Sequence, residues 1–300
     1  ANCINTRSAN WRVTTQSTVD AGAPYSSWIP ALHSTEYSYL PKEGLLYIGS
    51  ELSITPWGIV DEFLCTVESE KLSGALNAVP YSIGNLRTHF NNNKFQIKTL
   101  GYKWGGNVGE VKAELFGVEN WFDGGAIEGD INLDAEHIDI GSILSWWENR
   151  TVAEDSTAST AFLPSGSNLS LIIESGNLTW DALECESFVT RANLTASKLK
   201  IINSTTKTLE GLVRVEGSFR PSVEGWVLNL SGSADGISLP KLFNCYDNFG
   251  QNTLRAQHMG GSLSIAGTSK MGWGKDGVWS SESFNASLNV GVSHGSLENF

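Results

Sequence analysis

Between Ser283 and Ser293 the chain alternates without a break. Phe284, Ala286, Leu288, Val290 and Val292 fall on one side, and Ser283, Asn285, Ser287, Asn289, Gly291 and Ser293 on the other. Successive side chains of an extended strand point to opposite faces, so this segment reads as a strand with one apolar and one wetted face. The pattern recurs. Ile127, Gly129, Ile131, Leu133 and Ala135 alternate with Glu128, Asp130, Asn132, Asp134 and Glu136. Val213, Val215 and Phe219 oppose Arg214, Glu216 and Ser218, and Trp226, Leu228 and Leu230 interleave with Val227, Asn229 and Ser231. Leu169, Leu171 and Ile173 form another run, as do Leu263 with Ile265, and Leu72 with Leu76 and Ala78. Strands that are apolar on one face only belong in antiparallel sheet, because a parallel sheet covered on both faces reads as continuous apolar runs.

Two short stretches change period. Ile140, Ile143, Leu144 and Trp147 have helical spacing behind Asp139, a capping residue. Leu239, Leu242, Phe243 and Tyr246 repeat that spacing behind Ser238, with Pro240 in the first turn. Helices of two or three turns are marginal alone, so both are expected to dock on the sheet. Each follows a strand pair and an isoleucine, Ile138 in one case and Ile237 in the other, 99 residues apart. That spacing suggests a repeat of roughly 100 residues. The expected organisation is an N-terminal β-rich segment over 1–70, one repeat unit over 71–205 and a second over 206–300. The stretch Arg150–Asn168, rich in Ser, Thr, Ala and acids, is expected to be a loop. Residues 1–40 carry Trp11, Trp28 and Tyr37 with no clean period.

Composition removes several function classes. With 20 basic and 32 acidic residues the net charge is −12, which opposes coating nucleic acid. An apolar fraction of 40% supports a sizeable core, and 31 glycines with 8 prolines favour turns over long helices. No apolar run reaches the ~18 residues of a membrane-spanning helix. Cys3, Cys65, Cys185 and Cys245 have no metal-finger spacing; they permit two disulfides in three pairings, or isolated thiols. His33, His89, His137, His258 and His294 are scattered, with no partner at metal-ligand spacing. His137 falls on the apolar side of its strand and reads as a hydrogen-bonded core or rim residue. No nucleophile elbow, zinc-protease helix or phosphate loop occurs. Glu128 with Asp130, and Asp134 with Glu136, offer paired carboxylates for glycoside chemistry, but a solvated strand face accounts for them. No catalytic residue, metal site or cofactor is expected. Seven Asn-x-Ser/Thr triplets occur, two of which, at Asn229 and Asn285, lie on the wetted side of strands. Eleven tryptophans suit either packing or contact with lipid headgroups and sugars.

Order and spacing of motifs carry a resemblance. Phe95-Gln96-Ile97-Lys98, Gly105-Gly106-Asn107, Val111-Lys112-Ala113-Glu114-Leu115, Ile127-Glu128-Gly129-Asp130-Ile131-Asn132-Leu133 and Ile138-Asp139-Ile140-Gly141-Ser142-Ile143-Leu144 follow one another. Later come Leu239-Pro240-Lys241-Leu242-Phe243, Asn248-Phe249-Gly250-Gln251-Asn252-Thr253-Leu254, Gly260-Gly261-Ser262-Leu263 and Ser293-His294-Gly295-Ser296-Leu297-Glu298-Asn299-Phe300. Over about 70–300 the chain resembles AsmA-like proteins of Bacteroidetes-type bacteria, a family similar to the bridge-like lipid-transfer proteins. The resemblance implies a mostly β fold: an elongated, curled antiparallel sheet forming an open groove, with a few short helices docked on it. It also implies a non-enzymatic periplasmic protein of outer-membrane biogenesis that handles phospholipid or another lipid, with envelope proteins as possible partners and no nucleic acid. The family's membrane anchor and its continuation beyond the closing strand are missing from this sequence, so the expectation is a soluble part of a longer protein anchored in the inner membrane. The groove candidates are Ile131, Leu133, Leu169, Leu171, Ile173, Val213, Val215, Leu228, Leu230, Leu263, Ile265, Phe284, Leu288, Val290 and Val292. A rival reading from a different class is an extracellular carbohydrate-binding or adhesive β-protein whose tryptophans stack on sugars.

Overall fold

A computed structural model describes residues 2–5, 11–20, 41–55, 60–76, 79–91, 93–121, 124–148, 162–274 and 278–297. Fifteen strands dominate it. They are β1 (Asn2–Asn5), β2 (Trp11–Asp20), β3 (Glu43–Ile54), β4 (Val60–Leu76), β5 (Val79–Asn91), β6 (Lys94–Trp104), β7 (Asn107–Phe116), β8 (Glu128–Asp139), β9 (Asn168–Trp180), β10 (Leu183–Thr195), β11 (Leu199–Thr208), β12 (Gly211–Ser222), β13 (Gly225–Ser238), β14 (Met259–Gly274) and β15 (Trp279–Leu297). Three helices interrupt them: α1 (Val118–Trp121), α2 (Ile140–Glu148) and α3 (Leu239–Cys245). Each strand hydrogen-bonds to its neighbours in the chain, from β1 to β15 in sequence order, in a sheet not closed into a barrel. The pairs β1–β2 through β6–β7 and β9–β10 through β14–β15 are antiparallel, as one-sided alternation requires.

The chain divides into two compact units, Ala1–Asp134 and Ala135–Phe300, with the division inside β8. The boundaries read from the sequence, 70/71 and 205/206, fall within β4 and β11.

In the first unit, register places residues of like polarity side by side. Cys65, Phe90, Phe95 and Leu115 face one another across β4 to β7, and the next row is Ile48, Val67, Thr88, Ile97 and Ala113. Phe63, Phe90 and Phe95 form a chain of aromatic contacts, with centroids 6.0 and 6.5 Å apart. The opposite face carries Gln16, Thr66, His89, Gln96 and Glu114 in register. Arg12 pairs with Glu51 at 2.7 Å and Lys94 with Glu114 at 2.6 Å on that face. The β6–β7 hairpin turns through Gly105 and Gly106, both at positive φ, where a side chain would be strained.

The second unit has the same one-sidedness, with helices added. Ala135, Ile138, Leu178 and Cys185 form one buried cluster, joined by Ile140 at the start of α2. Ile237, Leu239 and Leu263 form another, joined by Leu242 of α3. Asp139 caps α2: its carboxylate accepts from the Ser142 hydroxyl, and that bond holds the carboxyl below its ordinary range against the opposing effect of burial. Ser238 caps α3, accepting from the Lys241 amide at 3.5 Å, with proline in the first turn. Both helices therefore start where the sequence placed them. The side chains of Trp146 and Trp147, the Cys3 and Trp11 side chains, residues 21–40 with Trp28, His33 and Tyr37, Ala78, and residues 150–161 of the expected loop lie outside the described residues. Among the described residues no large side chain is completely buried and no helix is long and apolar enough to cross a membrane.

Candidate functional site: an apolar wall and a polar trough

Residues directly opposite in an antiparallel sheet share a face, so register alone assembles the site of the second unit. One row runs Leu169, Leu194, Leu199, Phe219, Leu228 and Met271 from β9 to β14. The next is Leu171, Ala192, Ile201, Gly217, Leu230, Ser269 and Ala286. The third is Ile173, Thr190, Ser204, Val215, Gly232, Gly267 and Leu288. A fourth joins Thr206, Val213, Ala234, Ile265 and Val290, and a fifth ends in Ile237, Leu263 and Val292. Twelve of the fifteen groove candidates, from Leu169 to Val292, thus lie on one wall of seven strands, on β9 and on β12 to β15.

The other three sit elsewhere. Ile131 and Leu133 belong to the part of β8 in the first unit, where they are half-buried and alternate with exposed Asp130, Asn132 and Asp134. Phe284 lies in the register shift between the pairs Lys270–Asn285 and Gly272–Ser280, about half exposed. The shift is held by Ser283, whose hydroxyl accepts from the Gly272 amide at 2.7 Å and donates to the Ser280 carbonyl at 2.6 Å.

The wall is shallow in its middle because glycines stand there. A Cβ on Gly267 would collide with the Ser287 carbonyl oxygen, and one on Gly232 with that of Arg214. Leu288 and Val215 lean over these positions instead. One end is closed by aromatic rings: Trp226 lies 5.3 Å from Phe219 and 5.1 Å from Phe162, and Trp273 lies 6.1 Å from Phe219. Phe162 comes from outside the strand pattern, tied in by its amide to the Ala196 carbonyl at 3.1 Å. The other end carries the two helices. Between them the cover thins toward β15: Leu263 is 8% exposed, while its neighbour Val292 is 56%, Leu288 56% and Val290 60% exposed.

The opposite face carries Lys200, Ser218, Asn229, Lys270 and Asn285 in one row. They line an open trough of about 1270 Å³ with Lys198, Arg220, Glu216, Glu224 and Glu282. In the first unit a smaller hollow of about 520 Å³, lined by Thr14, Gln16, Glu51 and Thr66 among others, also opens on the polar side.

The chemistry-bearing residues stay apart. Glu128, Asp130, Asp134 and Glu136 are exposed, and among the described residues no group of three or more His, Cys, Asp or Glu is placed to hold a metal. His137 is half-buried with Nε2 3.4 Å from the Thr179 hydroxyl, a rim position. Two features escaped sequence reading. Trp226, Trp273 and Trp279 are neighbours in one row, which only the register reveals. Cys245, in α3, donates to the Ala182 carbonyl at 3.3 Å, three residues before Cys185. No family model, no curated protein and no solved structure matches this chain.

Proposed function

We propose that the chain is a non-enzymatic lipid-handling module of the AsmA type, working in the periplasm, whose apolar wall takes the acyl chains of a phospholipid. The observation that carries this is the register of β9 to β15, which brings leucine, isoleucine and valine side chains together on one wall spanning seven strands, while Leu288, Val290 and Val292 at its edge are more than half exposed. Exposed apolar area of that continuity needs an occupant, since each methylene withdrawn from water contributes about 0.8 kcal/mol. Strands spaced about 4.8 Å apart make the seven-strand wall roughly 29 Å across, long enough to lay an acyl chain along the rows.

The test is organic extraction of purified protein followed by mass spectrometry, run beside Leu288→Glu. Phospholipid in stoichiometric amount is expected from the wild type. Leu288 is exposed, so Leu288→Glu is expected to melt within a few degrees of wild type and to lose the lipid. Leu263→Glu, at a buried site, is expected to unfold the second unit. A wild type that retains no lipid and competes for none would refute the proposal.

A second reading rests on the trough: its lysines, asparagines and serines suit a polar, anionic glycan instead. Glycan-array binding that disappears in Lys200→Ala with Lys270→Ala, with no lipid recovered, would favour it.

A further inference from the structure

We propose that Cys185 and Cys245 are a thiol pair that closes to a disulfide and fastens α3 to the β9–β10 hairpin. Their places in the fold bring them near one another. Cys245 is the last residue of α3, and its Sγ touches the carbonyl of Ala182, in the turn that opens β10. Cys185 follows three residues on, 5% exposed among Ala135, Ile138 and Leu178. The Cys245 thiol is pushed up by burial first, then by Cys185 and by Glu184. Tyr246, beside Cys245, is raised by burial and then by the same two cysteines and Asp181. The proposal asks the Cys245 side chain to exchange the Ala182 carbonyl for the Cys185 sulfur. It is independent of any lipid.

The chemistry balances with an external small-molecule disulfide such as oxidised glutathione. The half-buried Cys245, as thiolate, attacks one of its sulfurs. The external S–S bond breaks, and one glutathione thiolate leaves and takes up a proton. Cys185, deprotonated in turn, attacks Cys245 Sγ in the mixed disulfide and expels the second glutathione. Two protein thiols lose two electrons and two protons, and the external disulfide is reduced to two thiols. Because burial disfavours the Cys245 thiolate, closure quickens as pH rises. Cys65 offers an internal comparison: it lies in β4 of the first unit, half-buried, its thiol raised by burial.

The experiment oxidises the full chain with millimolar oxidised glutathione, blocks free thiols with iodoacetamide and digests with trypsin without reduction. The expected product is Leu242–Arg255 joined to Thr151–Arg191, separating on reduction. Closing a loop between residues 60 apart is expected to raise the melting temperature of the second unit by roughly 5–15 °C, a shift absent in Cys245→Ser. Recovery of Leu242–Arg255 only as a single peptide, alkylated or glutathionylated, overturns the proposal. So does a link from either cysteine to Cys65 or Cys3, or an equal rise in melting temperature in Cys245→Ser.

Discussion

The second unit twice passes from a strand into a short helix, at β8–α2 and at β13–α3, and the two passages share a plan while differing in their fastenings. In each, a buried isoleucine precedes the helix: Ile138 at 6% exposure and Ile237 at 5%. In each, the next residue caps the helix. The first cap is a carboxylate and the second a hydroxyl. Beyond α3 the chain is held further: Phe249 packs edge-on to Phe243 and stacks on Tyr246, and the Asn248 carboxamide accepts from the Ala256 amide at 2.8 Å. The lesson is a division of labour. The isoleucine sets where the helix docks, and the cap is free to vary in chemistry, so the two passages respond differently to pH.

The strongest way to break this equivalence is to truncate the isoleucines. Ile138→Ala and Ile237→Ala should each cost about 3 kcal/mol by urea denaturation, since each leaves a cavity in its own cluster. Values differing by more than about 1 kcal/mol would show that the two sites are not alike. Next come the caps. Asp139→Ala should cost about 1 kcal/mol at neutral pH, and Ser238→Ala about half that, because its bond is long. Only the first should depend on pH. The Asp139 carboxyl is lowered chiefly by the Ser142 hydroxyl, then by the amides of Ser142 and Gly141 and by His137, with burial opposing. Its contribution is therefore fully present above the unfolded value near ~3.9 and is lost as pH falls through the lower folded value. Urea titrations of both variants between pH 7 and pH 2 check this. The smallest effect concerns the β11–β12 turn, where Leu209 and Glu210 both hold positive φ under α3. Glu210→Gly should gain about 0.5 kcal/mol, strain relief slightly exceeding the loss of an exposed 3.0 Å ion pair with Lys241.

Much of this was legible in the residues. The alternation from Ala286 to Val292 survives intact in β15, and both helix starts fall at Asp139 and Ser238. What escaped reading was local breaks in period. In β11 two residues intervene between the pairs Ile201–Gly217 and Ser204–Val215, so the wall-facing positions change parity and Ile202 is left exposed. In β10, Ser187 takes positive φ, and Cys185 and Thr190 face the same wall despite odd spacing. A similar shift interrupts β15 between Ser280 and Asn285, around Phe284. Such bulges insert residues without any distinctive composition, and period-two reading runs straight through them. Convergences between distant segments, such as Phe162 on Trp226 or Cys245 beside Ala182, leave no local trace at all.

The sequence-ordered sheet has a kinetic consequence. Because every strand's partners are its chain neighbours, nucleation anywhere can be followed by adding one hairpin arm at a time, each with a modest loop-closure entropy. A chain so arranged can zip up progressively as it emerges from a ribosome or a translocation pore, with no early strand waiting for a late one.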